Sequence, residues 1–159
     1  MFETKQSEDV RENYDMMLAV AEDMLASESD VCANLANISA LINMYMDRLN
    51  WVGFYIMRDG ELVLGPFQGK PACVRIKLGR GVCGTAAQNR EVLVVEDVHK
   101  FDGHIACDSA SNSEIVLPIY YKGEVYGVLD IDSPEFSRFS PLEQEALTKL
   151  AARLSTFLG

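Results

Sequence analysis

Residues 114–132 read EIVLPIYYKGEVYGVLDID, two strand-like runs on either side of Tyr121-Lys122-Gly123. Alternating side chains point to opposite faces of a strand, so the register of this hairpin decides what each face carries. A three-residue loop with Gly123 in the left-handed position pairs Tyr120 with Glu124 and Glu114 with Asp130. One face then holds Ile115, Leu117, Ile119, Val125, Gly127, Leu129 and Ile131, and the other gathers Glu114, Asp130 and Asp132. A two-residue loop would oppose Glu114 to Ile131 and mix the faces, so the three-residue loop is expected.

Working outward, the period of the chain changes twice. Before Trp51 it is helical: Val10, Tyr14, Met17, Leu18, Ala21, Met24 and Leu25 form one stripe. Val31, Leu35, Ile38, Leu41, Ile42, Tyr45 and Leu49 form a second, with Asp30 as the N-cap between them. WVGFYIM and ELVLGPF then read as a hairpin turning at Arg58-Asp59-Gly60, followed by ACVRIKL as a third strand. Gly79, Gly81 and Gly84 frame a turn into a short helix, GTAAQNR, and VLVV is a fourth strand. Residues 96–113 have no periodicity, and a loop that long is usually functional or disordered. After the hairpin, Ser140-Pro141 with Glu143 is a capping box that opens the last helix. The expected architecture is α+β: about six mostly antiparallel strands, with N- and C-terminal helices on one face and a ligand pocket on the other. The 159 residues suit one domain: a helical pair over 1–49, sheet and loops over 50–139, and a helix over 140–159.

Twenty-four acidic against 14 basic residues give a net charge of −10, which argues against nucleic acid or anionic lipid as a partner. Apolar runs are too short for a membrane span and the N-terminus has no signal core, so a cytoplasmic location is expected. In that compartment the four cysteines, Cys32, Cys73, Cys83 and Cys107, suggest thiol chemistry rather than structural disulfides. Cys32 lies at the start of a helix and reads as a part-buried small hydrophobe. Cys107 lies in the long loop three residues after His104, which could favour its thiolate, and Cys73 and Cys83 flank the glycine turn. The acidic trio is either a solvated sheet edge or a site for a cationic group, with one carboxyl kept protonated by its neighbours. Trp51 and Tyr55 are either core or the walls of an apolar pocket. No metal site is expected, because no CxxC or HExxH spacing is present.

The runs NWVGFYI (50–56), GPFQGKPACVRIKLGRGVCGTA (65–86), FDGHIACDSASNSEIVLPI (101–119) and GVLDIDSP (127–134) closely resemble the free methionine-(R)-sulfoxide reductases, single GAF-fold domains. The resemblance implies that Cys107 is the nucleophile, Cys73 the resolving thiol and Cys83 a second redox thiol. It also implies that Glu114, Asp130 and Asp132 hold the substrate ammonium and supply the acid, and that Trp51 and Tyr55 wall the methylsulfinyl end. The implied reaction reduces free methionine-(R)-sulfoxide through a cysteine sulfenic acid and an intramolecular disulfide. Thioredoxin would be the external reductant, with no bound cofactor and a possible homodimer. Carboxylates near Cys107 oppose its thiolate, and the substrate ammonium together with His104 would offset them. The competing expectation is a GAF module that senses a small ligand without catalysis.

Overall fold

Six antiparallel strands lie in the order β3-β2-β1-β6-β5-β4. The computed structural model describes residues 6–104 and 109–159. Two helices come first, α1 (Val10–Ser27) and α2 (Val31–Tyr45), and the Asp30 carboxylate caps α2 by accepting from Ala33 N at 2.8 Å. Leu49, placed with the second helical stripe, lies beyond its end and still packs against the core. The sheet strands are β1 (Trp51–Arg58), β2 (Glu61–Gly69), β3 (Arg75–Lys77), β4 (Leu93–Val95), β5 (Ser113–Tyr121) and β6 (Glu124–Ser133). Helix α3 (Gly81–Asn89) follows β3, and α4 (Pro141–Leu158) closes the chain. The Glu143 carboxylate accepts from the Ser140 backbone N–H at 3.0 Å, which makes the start of α4 the expected capping box.

The decisive hairpin has a different register, and its faces are the expected ones except near the turn, where Val125 packs on the cavity-side core and Tyr126 on the helix-side core. Its loop is two residues, Lys122 and Gly123, both with positive φ (49° and 80°), the conformation whose twist matches the flanking strands. Tyr121 pairs with Glu124 and Tyr120 with Val125, but Ile119 pairs with Gly127. The extra residue, Tyr126, forms a bulge that restores the alternation a two-residue loop would have inverted. Glu114 therefore faces Asp132 rather than Asp130, and Asp130 faces Val116. A regular ladder cannot give segregated faces with a two-residue turn, which is why the sequence pattern favours a three-residue loop. A bulge can.

Each strand of the centre thus divides its side chains between two cores. Val52, Phe54, Ile56, Ile115, Leu117, Ile119, Leu129 and Ile131 pack under α1, α2 and α4. Trp51, Tyr55, Val116 and Val128 face the other way, against Val82, Cys83, Ala86 and Ala87 of α3. Helix α3 starts three residues earlier than its sequence suggested, and β3 is shorter. Gly79 and Gly81 take positive φ (80° and 59°), and a Cβ on Gly84 would sit 2.3 Å from the Lys77 carbonyl oxygen. The glycines let the helix descend onto the sheet there.

Candidate active site

The alternation that separates the cores also delivers the site. Trp51 and Tyr55 are two apart from Gly53 on β1, and across the ladder Trp51 faces Asp132, Gly53 faces Asp130 and Tyr55 faces Val128. Glu114 at the start of β5 and both aspartates near the end of β6 therefore share one end of the sheet with the aromatic pair. Over them lies the first turn of α3. Trp51, Tyr55, Cys83, Glu114, Asp130, Asp132 and His104 all line one cavity of about 530 Å3, part of it open to solvent.

The trio is not a solvated edge. Glu114 and Asp130 are each 6% exposed and Asp132 is 8% exposed. Cys83 Sγ, a Glu114 oxygen and an Asp130 oxygen all lie within 4.8 Å of one another. Burial first, then the charges of Asp130 and Asp132, push the Glu114 carboxyl well above its ordinary range. Burial also raises Asp130, but hydrogen bonds from Glu114 and Cys83 oppose that rise. Of the two, Glu114 is pushed further toward its protonated form. Asp130 Oδ1 is buried without a hydrogen-bond partner among the described residues, an atom that a bound donor would satisfy.

His104 Nε2 is 3.9 Å from Glu114 Oε1. Burial, with His99 nearby, lowers its pKa, so the imidazole is neutral near pH 7 and does not lend a positive charge to a thiolate as its sequence position suggested. Cys83 is buried with a free thiol, and burial together with the three carboxylates pushes its pKa well up. This is a protonated thiol, a poor nucleophile. Cys32 is exposed rather than part-buried, and it too is free.

Cys73 is disulfide-bonded and half-buried beside the cavity rather than in its wall. The polar tips of both aromatics hold its segment: Tyr55 OH donates to the Cys73 carbonyl at 2.9 Å and Trp51 Nε1 to the Lys70 carbonyl at 3.2 Å. The rings themselves stack, with centroids 5.8 Å apart, and Phe67 stacks on Trp51 at 5.2 Å. Cys107 lies outside the described residues.

The cavity also takes in Pro71, Ala72, Ile76, Arg80, Val82 and Ser111, none of which the sequence singled out. The glycine turn around Arg80 was visible, but not that it would bend α3 over the acidic end of the hairpin. Ser111 accepts from Asn50 Nδ2 at 3.0 Å, a contact between the long loop and the entry to β1.

Residues 28–158 match the GAF domain family. The free methionine-R-sulfoxide reductase of Escherichia coli is 56% identical over 86% of this chain and 82% of its own length. The chain belongs to the free methionine-R-sulfoxide reductase family. Solved members superpose closely. The Neisseria meningitidis enzyme in complex with its substrate gives a TM-score of 0.95 at 41% identity, covering 99% of this chain and 96% of the other. The Staphylococcus aureus enzyme in complex with substrate gives 0.88 at 47% identity over 92% and 96%. The family's fold, a GAF sheet with terminal helices on one face, is the one described above.

Proposed function

We propose that this chain reduces free methionine-(R)-sulfoxide to methionine, with Glu114 as the proton donor, Asp130 and Asp132 as the ammonium site, and Cys107 and Cys73 as the redox pair. The observation that carries the reading is the buried trio beside stacked aromatics. One end of the cavity needs a cation and the other accepts an apolar thioether-like group, and a free amino acid with a methylsulfinyl tail supplies both. Arg80 and the N-terminal turn of α3 border the same cavity and suit the α-carboxylate.

The chemistry runs in three balanced steps. The Cys107 thiolate attacks the sulfoxide sulfur while Glu114 gives its proton to the sulfoxide oxygen; the hydroxyl then passes to the Cys107 sulfur as the substrate S–O bond and the transient sulfur–sulfur bond break, so that methionine leaves reduced and Cys107 is oxidised to a sulfenic acid. The Cys73 thiol then displaces that hydroxyl as water and forms a disulfide with Cys107. Reduced thioredoxin returns both thiols by exchange and is itself oxidised. Cys73 is favoured over Cys83 as the resolving thiol because Cys73 is disulfide-bonded here, whereas Cys83 is free and held protonated. The substrate ammonium, on entering, neutralises charge that would otherwise oppose the Cys107 thiolate.

Restriction to the free amino acid follows from burial. An amide nitrogen in place of the ammonium leaves Asp130 ionised, buried and unpaired, which is costly. In a thioredoxin-coupled assay, substrate-dependent NADPH consumption is expected from the parent chain and background only from Cys107→Ser. Peptide mapping after one turnover without reductant is expected to find Cys73 joined to Cys107. Turnover by Cys107→Ser, or a mapped Cys83–Cys107 bond, would overturn the assignment.

A further inference from the structure

The buried thiol of Cys83 has no step in the mechanism above, yet it points into the acidic end of the cavity. We propose that Cys83, Glu114 and Asp130 form a site for a thiophilic divalent cation of the zinc and cadmium class, and that the ion excludes the substrate ammonium.

Three observations support the site. The donor atoms come from separate, well-packed elements, Cys83 from α3, Glu114 from β5 and Asp130 from β6, and lie within 4.8 Å of one another. Ligand bonds of about 2.3 Å to sulfur and about 2.0–2.2 Å to oxygen place the donors of a tetrahedral ion roughly 3.5 Å apart, a small side-chain adjustment from that spacing. Next, Asp130 is 6% exposed and its Oδ1 has no hydrogen-bond partner among the described residues, so an acceptor is already desolvated and waiting for a positive partner. Lastly, the cavity opens to solvent, which gives an entry path and leaves a fourth position for water. Asp132 and His104 line the same cavity.

The donor set selects the metal. One thiolate with two carboxylates suits zinc or cadmium, while magnesium and calcium prefer oxygen alone. Binding forms one metal–sulfur and two metal–oxygen bonds. It releases the Cys83 thiol proton and the Glu114 carboxyl proton to solvent, with no change of oxidation state. The ion and the substrate ammonium then claim the same Asp130, and an ion that deprotonates Glu114 also removes the acid. Cation binding does not depend on the reductase reading; its competition with substrate does.

Cadmium reports the bond directly through its ultraviolet thiolate charge-transfer absorption, so the probe is cadmium chloride titrated into the oxidised protein carrying Cys32→Ser. The expected result is a saturable band at one ion per chain, unmoved by excess magnesium, and diminished by excess L-methionine. Cys83→Ala should abolish the band, and Asp130→Asn, which keeps the shape, should weaken binding at least about tenfold. No band in the parent, or a band retained in Cys83→Ala, would overturn the site. A band that L-methionine leaves intact would overturn the competition. A chain that shows the band but reduces no methionine sulfoxide would keep the site and remove the reductase reading.

Discussion

The two faces of the sheet handle buried charge in opposite ways. Beneath the helices, Arg138 is buried but paired: its Nη1 is 3.3 Å from Glu143 Oε1, and its Nη2 is 3.1 Å from Asp47 Oδ1. On the cavity face, Glu114 and Asp130 are equally buried, and among the described residues no lysine or arginine pairs with either. A satisfied network adds stability and specifies one arrangement, whereas an unsatisfied one stores a cost that a ligand can relieve. One set of strands therefore carries both a structural face and a reactive one, distinguished by the parity of the residue number along β5 and along β6 beyond its bulge.

Substitutions should break that contrast in opposite senses. Glu114→Gln is expected to lower turnover by about 10²–10⁴, because the proposed proton donor is lost, and yet to raise the melting temperature at neutral pH. The sign follows from linkage. Burial and the neighbouring aspartates hold Glu114 protonated in the folded state, so the folded chain binds more protons than the unfolded one above the ordinary carboxylate range. The stability of the parent should fall as pH rises from that range through the elevated value of Glu114, and the glutamine variant should lose that slope. Thermal melts across pH, run beside the coupled assay, check both halves. A variant that is inactive and also less stable would mean the two faces do not differ as described.

Leu117→Ala tests the other face. Leu117 lies between Val116 and Pro118 on β5, fully buried under the helices, and its truncation should cost about 2–5 kcal/mol. Denaturant unfolding should show that loss, while KM and the activity per folded molecule stay near the parent values. The smallest effect is expected from Tyr55→Phe, which keeps the stacked wall and removes the hydroxyl bond to the Cys73 carbonyl. A loss of about 1 kcal/mol is expected, seen as slower disulfide formation in single turnover with little change in methionine release.

Much of this division was legible in the sequence because it depends on parity. The apolar stripe Ile115, Leu117, Ile119, Leu129, Ile131 and the acidic set Glu114, Asp130, Asp132 fall on opposite faces in any register of the right parity. The exact pairing was not legible: a type of turn that fits the strand twist, combined with one bulged residue at Tyr126, gives the same faces as the simpler loop. Capping at Asp30 and Ser140 was readable because it is local. The descent of α3 over the acidic end was not, since it rests on contacts such as Gly84 against Lys77 across the turn. For the same reason the sequence does not mark Arg80 and Ser111 as cavity residues, nor show that burial lowers the pKa of His104.

The central claim is that the desolvated carboxylates on the cavity face read a free ammonium group. The direct measurement is kcat/KM for free methionine-(R)-sulfoxide and for its N-acetyl derivative, side by side in the thioredoxin-coupled assay. The free amino acid is expected to be favoured by at least about a hundredfold, because the acetylated nitrogen leaves Asp130 unpaired. Equal values for the two substrates would contradict the account.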